Sequence, residues 1–161
     1  MNRAALQLQV NMCARALNAN LEGFTDEDAL VQPPGGGNCA NWIFGHIIAS
    51  RSATLKLVKQ SGVWSDDLNN RYKRGSDPLE SGGDAVSLKK LRGDFATSQE
   101  KLMQGLESLS EEDLNEVLEP AFGSKATSRI EQLAFLQFHE SYHVGQIGLL
   151  RRIVGKPGAI R

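Results

Sequence analysis

The sequence predicts an all-α fold, a four-helix bundle in one domain spanning residues 1–161, with a long crossover loop between helices two and three. Three observations carry this expectation. Four stretches repeat apolar side chains at intervals of three and four, the spacing of one helix face. Little of the chain alternates with the period of a strand. At 161 residues there is enough chain for one sizeable core and too little for two.

The first helix covers roughly residues 2–22, with Leu6, Val10, Cys13, Leu17 and Leu21 on its inner stripe. VQPPGGG at 31–37 breaks the chain, and Asn38 is a suitable N-cap for a second helix over roughly 39–60. Its stripe reads Ile43, His46, Ile47, Ser50, Thr54 and Leu57. Residues 61–83, SGVWSDDLNNRYKRGSDPLESGG, form the long connection, either a crossover or a flap over one end of the bundle. The third helix, roughly 84–109 with Asp84 as its cap, buries Leu88, Leu91, Phe95, Ser98, Leu102, Leu106 and Leu109. SEEDL, beginning at Ser110, starts a short helix. The fourth helix, roughly 127–154, carries Leu133, Leu136, His143, Ile147, Leu150 and Val154 until Gly155 and Pro157 stop it.

Composition narrows the function. A net charge of −1 offers no basic field for nucleic acid. The polar N-terminus lacks the apolar core of a signal peptide, and no run is long enough to span a bilayer. Two cysteines, Cys13 and Cys39, make no disulfide framework, so a cytoplasmic protein with reduced thiols is expected. Cys13 fits the first stripe as a small apolar residue. Cys39 lies two turns from His46, too far to share a ligand set with it.

All three histidines fall at inward positions. His139 and His143 are four apart, one turn on one helix face, and His46 sits inward on helix two. One inward histidine is ordinarily a hydrogen-bonded core residue, but three together ask for a stronger reason. Three neutral imidazoles with an open position are the ligand set of a catalytic transition-metal centre. On a helical wheel His143 is central, His139 lies to one side with Gln146 beyond it, and Glu140 lies at the opposite edge. The letters His139-Glu140-Ser141-Tyr142-His143 share the H-E-x-x-H spacing of zinc proteases, yet the third histidine comes from far upstream and no strands surround the helix.

The segments GGGNCANWIFGHI and LQFHESYHVGQIGLLRR resemble the two signature stretches of the DinB/YfiT-like superfamily of bacterial four-helix metal-binding proteins. The first matches N-x-x-x-W-x-x-G-H on helix two, and the second matches H-x-x-x-H-x-G-Q on helix four. The resemblance implies that His46, His139 and His143 bind a divalent metal, with zinc or nickel leading and iron or manganese as alternatives. It also implies a small-molecule substrate, a homodimer and activities that include S-transfer and isomerisation with low-molecular-weight thiols. Small-molecule hydrolysis and non-catalytic metal or ligand binding are the competing readings, and no catalytic residue is assigned.

Around the triad, Glu140 and Gln146 are candidates to orient a ligand imidazole from behind, or else ordinary polar residues at a helix edge. Gly45 and Gly145 flank ligands, where they would let helices approach closely. Arg71, Lys73 and Arg74 are candidates to hold the acidic part of a thiol cofactor if the long loop folds over the metal; a solvated charge run is the plainer reading. Trp42 would pack beneath the site, and Trp64 would anchor the loop or line a pocket. Arg151 and Arg152 complement the dipole at the end of helix four.

Overall fold

A computed structural model describes residues 2–79, 82–120, 123 and 125–160. Four long helices dominate: α1 (Arg3–Leu21), α3 (Ala40–Leu57), α5 (Leu88–Ser108) and α7 (Arg129–Ile153), with short helices α2 (Asp26–Leu30), α4 (Asp66–Tyr72) and α6 (Glu111–Asn115) between them. Among the described residues the only strand-like pairing is an isolated bridge between Val117 and Ser128.

Side-chain caps fix where several helices begin. Asn2 accepts from the Ala5 N–H at 2.9 Å at the head of α1, and Ser128 with Glu131 closes a reciprocal capping box on α7. Two expected caps are corrected. Cys39, rather than Asn38, holds the N-cap position of α3 and makes no side-chain cap bond. Asp84 lies in a 3-10 turn (Gly82–Asp84), while the Ser87 hydroxyl accepts from the Lys90 N–H and starts α5. The helix begins where its apolar stripe does, at Leu88, and Asp84 is one turn too early to cap it.

The stripes of α1 and α5 are buried as their spacing requires, from Leu6 to Leu21 and from Leu88 to Leu109. Packing partners give the helix directions. Leu6 shares an apolar cluster with Ile130 and Leu133, and Asn20 donates to the Val144 carbonyl at 3.2 Å, so α1 and α7 run parallel. Phe44 meets Phe95, Arg51 meets Ser98, and Val58 lies against Gly105, so α3 and α5 also run parallel. The chain leaving α3 must therefore travel back along the bundle before α5 starts. The long connection makes that crossover.

That connection is not loop throughout, which corrects the expectation for 61–83. Residues 66–72 coil into α4, which packs on α3 and buries Tyr72 completely. The Tyr72 hydroxyl donates to Asn41 Oδ1 at 3.0 Å and accepts from the Val86 N–H at 2.9 Å. Trp64 anchors the segment: its ring leans on Tyr72 and its Nε1 donates to Asp94 of α5 at 2.5 Å.

Gly45 is what lets Tyr72 in. A Cβ on Gly45 would lie 2.1 Å from the Tyr72 ring, whereas one on Gly145 would meet nothing within 4 Å. Of these two glycines it is Gly45 that a neighbour approaches closely, because Gly145 faces outward. Gly45→Ala is expected to destabilise the protein by about 1–3 kcal/mol, since overpacking a fixed ring outweighs the gain in helix propensity. Gly145→Ala should be neutral or stabilising by up to about 1 kcal/mol. Paired urea titrations read the contrast, and equal effects at the two sites would refute it.

Candidate metal centre

His46 occupies the second turn of α3, and His139 and His143 occupy successive turns of α7. Because α3 packs directly on α7, the three imidazoles converge. One ligand-capable atom from each lies within 4.8 Å of the other two. His143 Nε2 and His139 Nε2 are 3.1 Å apart. A tetrahedral ion with metal–nitrogen bonds of about 2.0–2.1 Å sets its ligand nitrogens roughly 3.3 Å apart, so this spacing suits a shared ion.

Hydrogen bonds behind the rings settle which nitrogens face inward. His46 Nδ1 is 2.8 Å from the Tyr72 carbonyl, which can only accept, so Nδ1 carries the proton and Nε2 keeps its lone pair, with the Ser50 hydroxyl 3.5 Å from it. His143 Nδ1 donates in the same way to Gln146 Oε1 at 2.7 Å. This arrangement, a ring N–H donated outward and the opposite lone pair presented inward, is the usual support of a metal-ligating histidine. The Trp42 indole stacks on His46 at 5.0 Å between centroids and 12° between planes, which restrains the ring.

All three histidines are held below the ordinary imidazole pKa, first by burial and in part by one another's charge. They are therefore neutral at pH 7, the protonation state that a metal needs. Burial is uneven, however. His46 is enclosed, while His139 and His143 are half-buried and face an open cleft of about 730 Å³ rather than the apolar interior that the helical wheel assigns them.

The centre of α7's buried face belongs to Glu140 instead. Arg51 of α3 donates to its two oxygens, from Nε at 2.8 Å and Nη2 at 2.7 Å. Arg51 also reaches Ser98 and Gln99 of α5, each at 2.9 Å, and lies over the Phe95 ring. Glu140 thus braces helices and hydrogen-bonds no ligand imidazole among the described residues; Gln146 does that for His143. Sequence spacing overlooked Arg51 and Tyr72. An arginine on α3 and a glutamate on α7 each look like edge residues alone, and only their pairing draws both inward.

The remaining sequence candidates separate. Arg74 lines the cleft. Arg71 is turned to the Asp77 carbonyl at 3.0 Å and Lys73 to Asn70 at 3.1 Å. Trp64 does not line the cleft. Burial pushes the Cys13 thiol up to about 11 and raises Cys39 too, so neither is a ready thiolate at neutral pH. No described helix is long and apolar enough to cross a membrane.

A conserved protein from Enterococcus faecalis shares the fold, with a TM-score of 0.72 over 94% of this chain and 95% of that one, at 16% identity. No curated protein matches the sequence. The family model described as the DinB superfamily matches residues 9–147. That span runs from α1 almost to the end of α7 and encloses all three histidines, so the chain belongs to the DinB superfamily.

Proposed function

We propose that the protein is a divalent-metal-dependent enzyme acting on a small molecule, a thiol S-transferase or isomerase or a small-molecule hydrolase, with His46, His139 and His143 as the metal ligands. We further propose a cytoplasmic homodimer whose protomer is one domain over residues 1–161, holding zinc or nickel, with iron and manganese as alternatives. The observation that carries the reading is the convergence of three neutral imidazoles at the wall of an open cleft. A structural site closes its coordination sphere with protein; a site with three protein ligands and access keeps room for a reactant.

A divalent ion there would supply Lewis acidity, lowering the pKa of a thiol or water brought to it. The chain's own residues do the rest. The Tyr72 carbonyl and Gln146 hold His46 and His143 in the ligating tautomer. Trp42 limits rotation of His46. Tyr142, set edge-on to His143, and Leu149 line the cleft.

A non-catalytic metal-binding bundle is the second reading, because no side chain in the cleft is placed as an unambiguous general base. Native mass spectrometry of tag-free protein reads metal content and oligomeric state together. One ion per chain is expected, and His143→Ala should lose it while remaining folded. An apo spectrum after growth with each candidate metal would refute the site. With metal bound, turnover of electrophiles with a low-molecular-weight thiol, or of ester and amide substrates, supports the enzyme; inactivity across both panels favours the binding bundle.

A further inference from the structure

The charge balance of the cleft identifies the kind of molecule it takes. Three neutral imidazoles contribute no charge, so a divalent ion on them would keep its full positive charge. Other metal sites offset that charge with carboxylates. Here no acidic residue among the described residues lines the cleft, and the nearest candidate by sequence, Glu140, is turned away and neutralised by Arg51. Arg74 adds a further positive charge to the lining. Its guanidinium forms no hydrogen bond or ion pair with a described residue, although its field reaches His139.

The backbone turn that carries Arg74 is tied to the bundle. The Ser76 N–H bonds the Lys73 carbonyl at 3.1 Å, and Gly75 takes a φ of +81° to make the turn. Trp42 Nε1 donates to Ser76 Oγ at 3.1 Å, tying that turn to α3 one helical turn from His46. Ile43, Leu149, Leu150 and Ile153 supply an apolar part of the cleft lining. Gly36 and Gly37 also line the cleft, beside Pro33 and Asn38.

We propose that the cleft binds a small organic anion with two negative groups, one directed at the metal, the second at Arg74, and an apolar body against the Ile43–Leu149–Leu150–Ile153 wall. This rests on the metal reading above and specifies its substrate class. Two positive centres in a cleft that no described carboxylate lines favour such a ligand over a neutral molecule or a cation of equal size.

The test loads the protein with cobalt(II), whose visible absorption reports its ligands. The loaded protein is titrated with the dicarboxylates from malonate to adipate, each beside the monocarboxylate of equal carbon count, and with hexylamine. At least one dicarboxylate should bind about twofold to fivefold tighter than its monocarboxylate, the range of an exposed ion pair. Hexylamine should not compete. Arg74→Gln should abolish that preference while leaving the cobalt spectrum of the ligand-free protein unchanged. Cobalt bound normally with no dicarboxylate preferred, or with a preference that survives Arg74→Gln, overturns this inference and leaves the metal reading standing. Failure to bind cobalt at all overturns both.

Discussion

Replacing Arg51 with methionine is expected to destabilise the protein by about 3–5 kcal/mol, because it strands the Glu140 carboxylate in the interior without its counter-ion. Arg51 is 1% exposed, and its donors are spent on Glu140, Ser98 and Gln99. It lies between two apolar clusters, one around Phe44, Tyr72 and Ile147 and the other around Leu55, Leu106 and Leu133. The pair is therefore largely shielded from water when one partner is removed. For a chain of this length such a loss lowers the melting temperature by roughly 10 °C or more. Replacing both partners, Arg51→Met with Glu140→Leu, should recover most of the stability, since an apolar pair of similar volume needs no compensation. Urea titration of the two singles and the double gives the coupling directly. A single variant within about 1 kcal/mol of the parent would mean that the carboxylate finds other solvation.

The double variant is informative beyond stability. Arg51 and Glu140 join the two helices that carry the three imidazoles, and Glu140 directly follows His139 in sequence. If the ion pair sets the register of α3 against α7, the folded double variant should bind metal more weakly than the parent despite its recovered stability. A pair that serves only the fold would leave the affinity unchanged.

Much of the architecture is legible in residue spacing. The stripes of α1 and α5 meet neighbours on one side only, so a simple three-and-four repeat describes what they bury. α3 is different: it packs against α2, α4, α5 and α7, and residues 40–48 are buried without interruption. A helix enclosed on nearly all sides has no single stripe, which is why the spacing does not single out Arg51 as buried. α7 misleads in another way. Its wheel centres on His143 because Leu136, Ile147 and Leu150 flank that position, but the buried face in fact includes Gln137, Glu140, Val144 and Ile147. The triad sits on the flank of that face, which is how it comes to meet an open cleft.

Residues near the site were readable to the extent that their roles are local. The spacing of His139 and His143 follows from helix pitch, and Gln146 lies one turn beyond His143. The carbonyl that fixes His46 belongs to Tyr72, 26 positions away on a helix that the polar sequence of 61–83 conceals. A seven-residue helix has too few turns to show a periodic stripe. Gly45 was the available signal, a glycine inside a helix one position before a ligand, but it did not identify what fills the space it leaves.

Zinc or nickel should stabilise the protein, by about 4 kcal/mol at free metal a thousand times the dissociation constant, which corresponds to a rise of roughly 10 °C in melting temperature. The gain should vanish with a chelator and be absent in His143→Ala. Its pH dependence is the sharper test. The pKa values of all three histidines are depressed in the folded protein, so between those values and about 6.5 the unfolded chain binds more protons than the folded one. Stability of the metal-free protein therefore rises with pH through that window and is lost as pH falls through it. The metal competes with protons only on the folded site, whose histidines hold fewer protons at pH 6.5 than free imidazoles do. The metal-induced gain should accordingly fall by less between pH 7.5 and pH 6.5 than ordinary imidazoles would require, and decline further at lower pH. Three histidines of ordinary pKa would instead lose roughly sixfold in affinity over that interval, about 1 kcal/mol of the gain. Thermal melts with and without metal at the two pH values measure the difference, and a loss of that size would show that burial does not keep the triad proton-free.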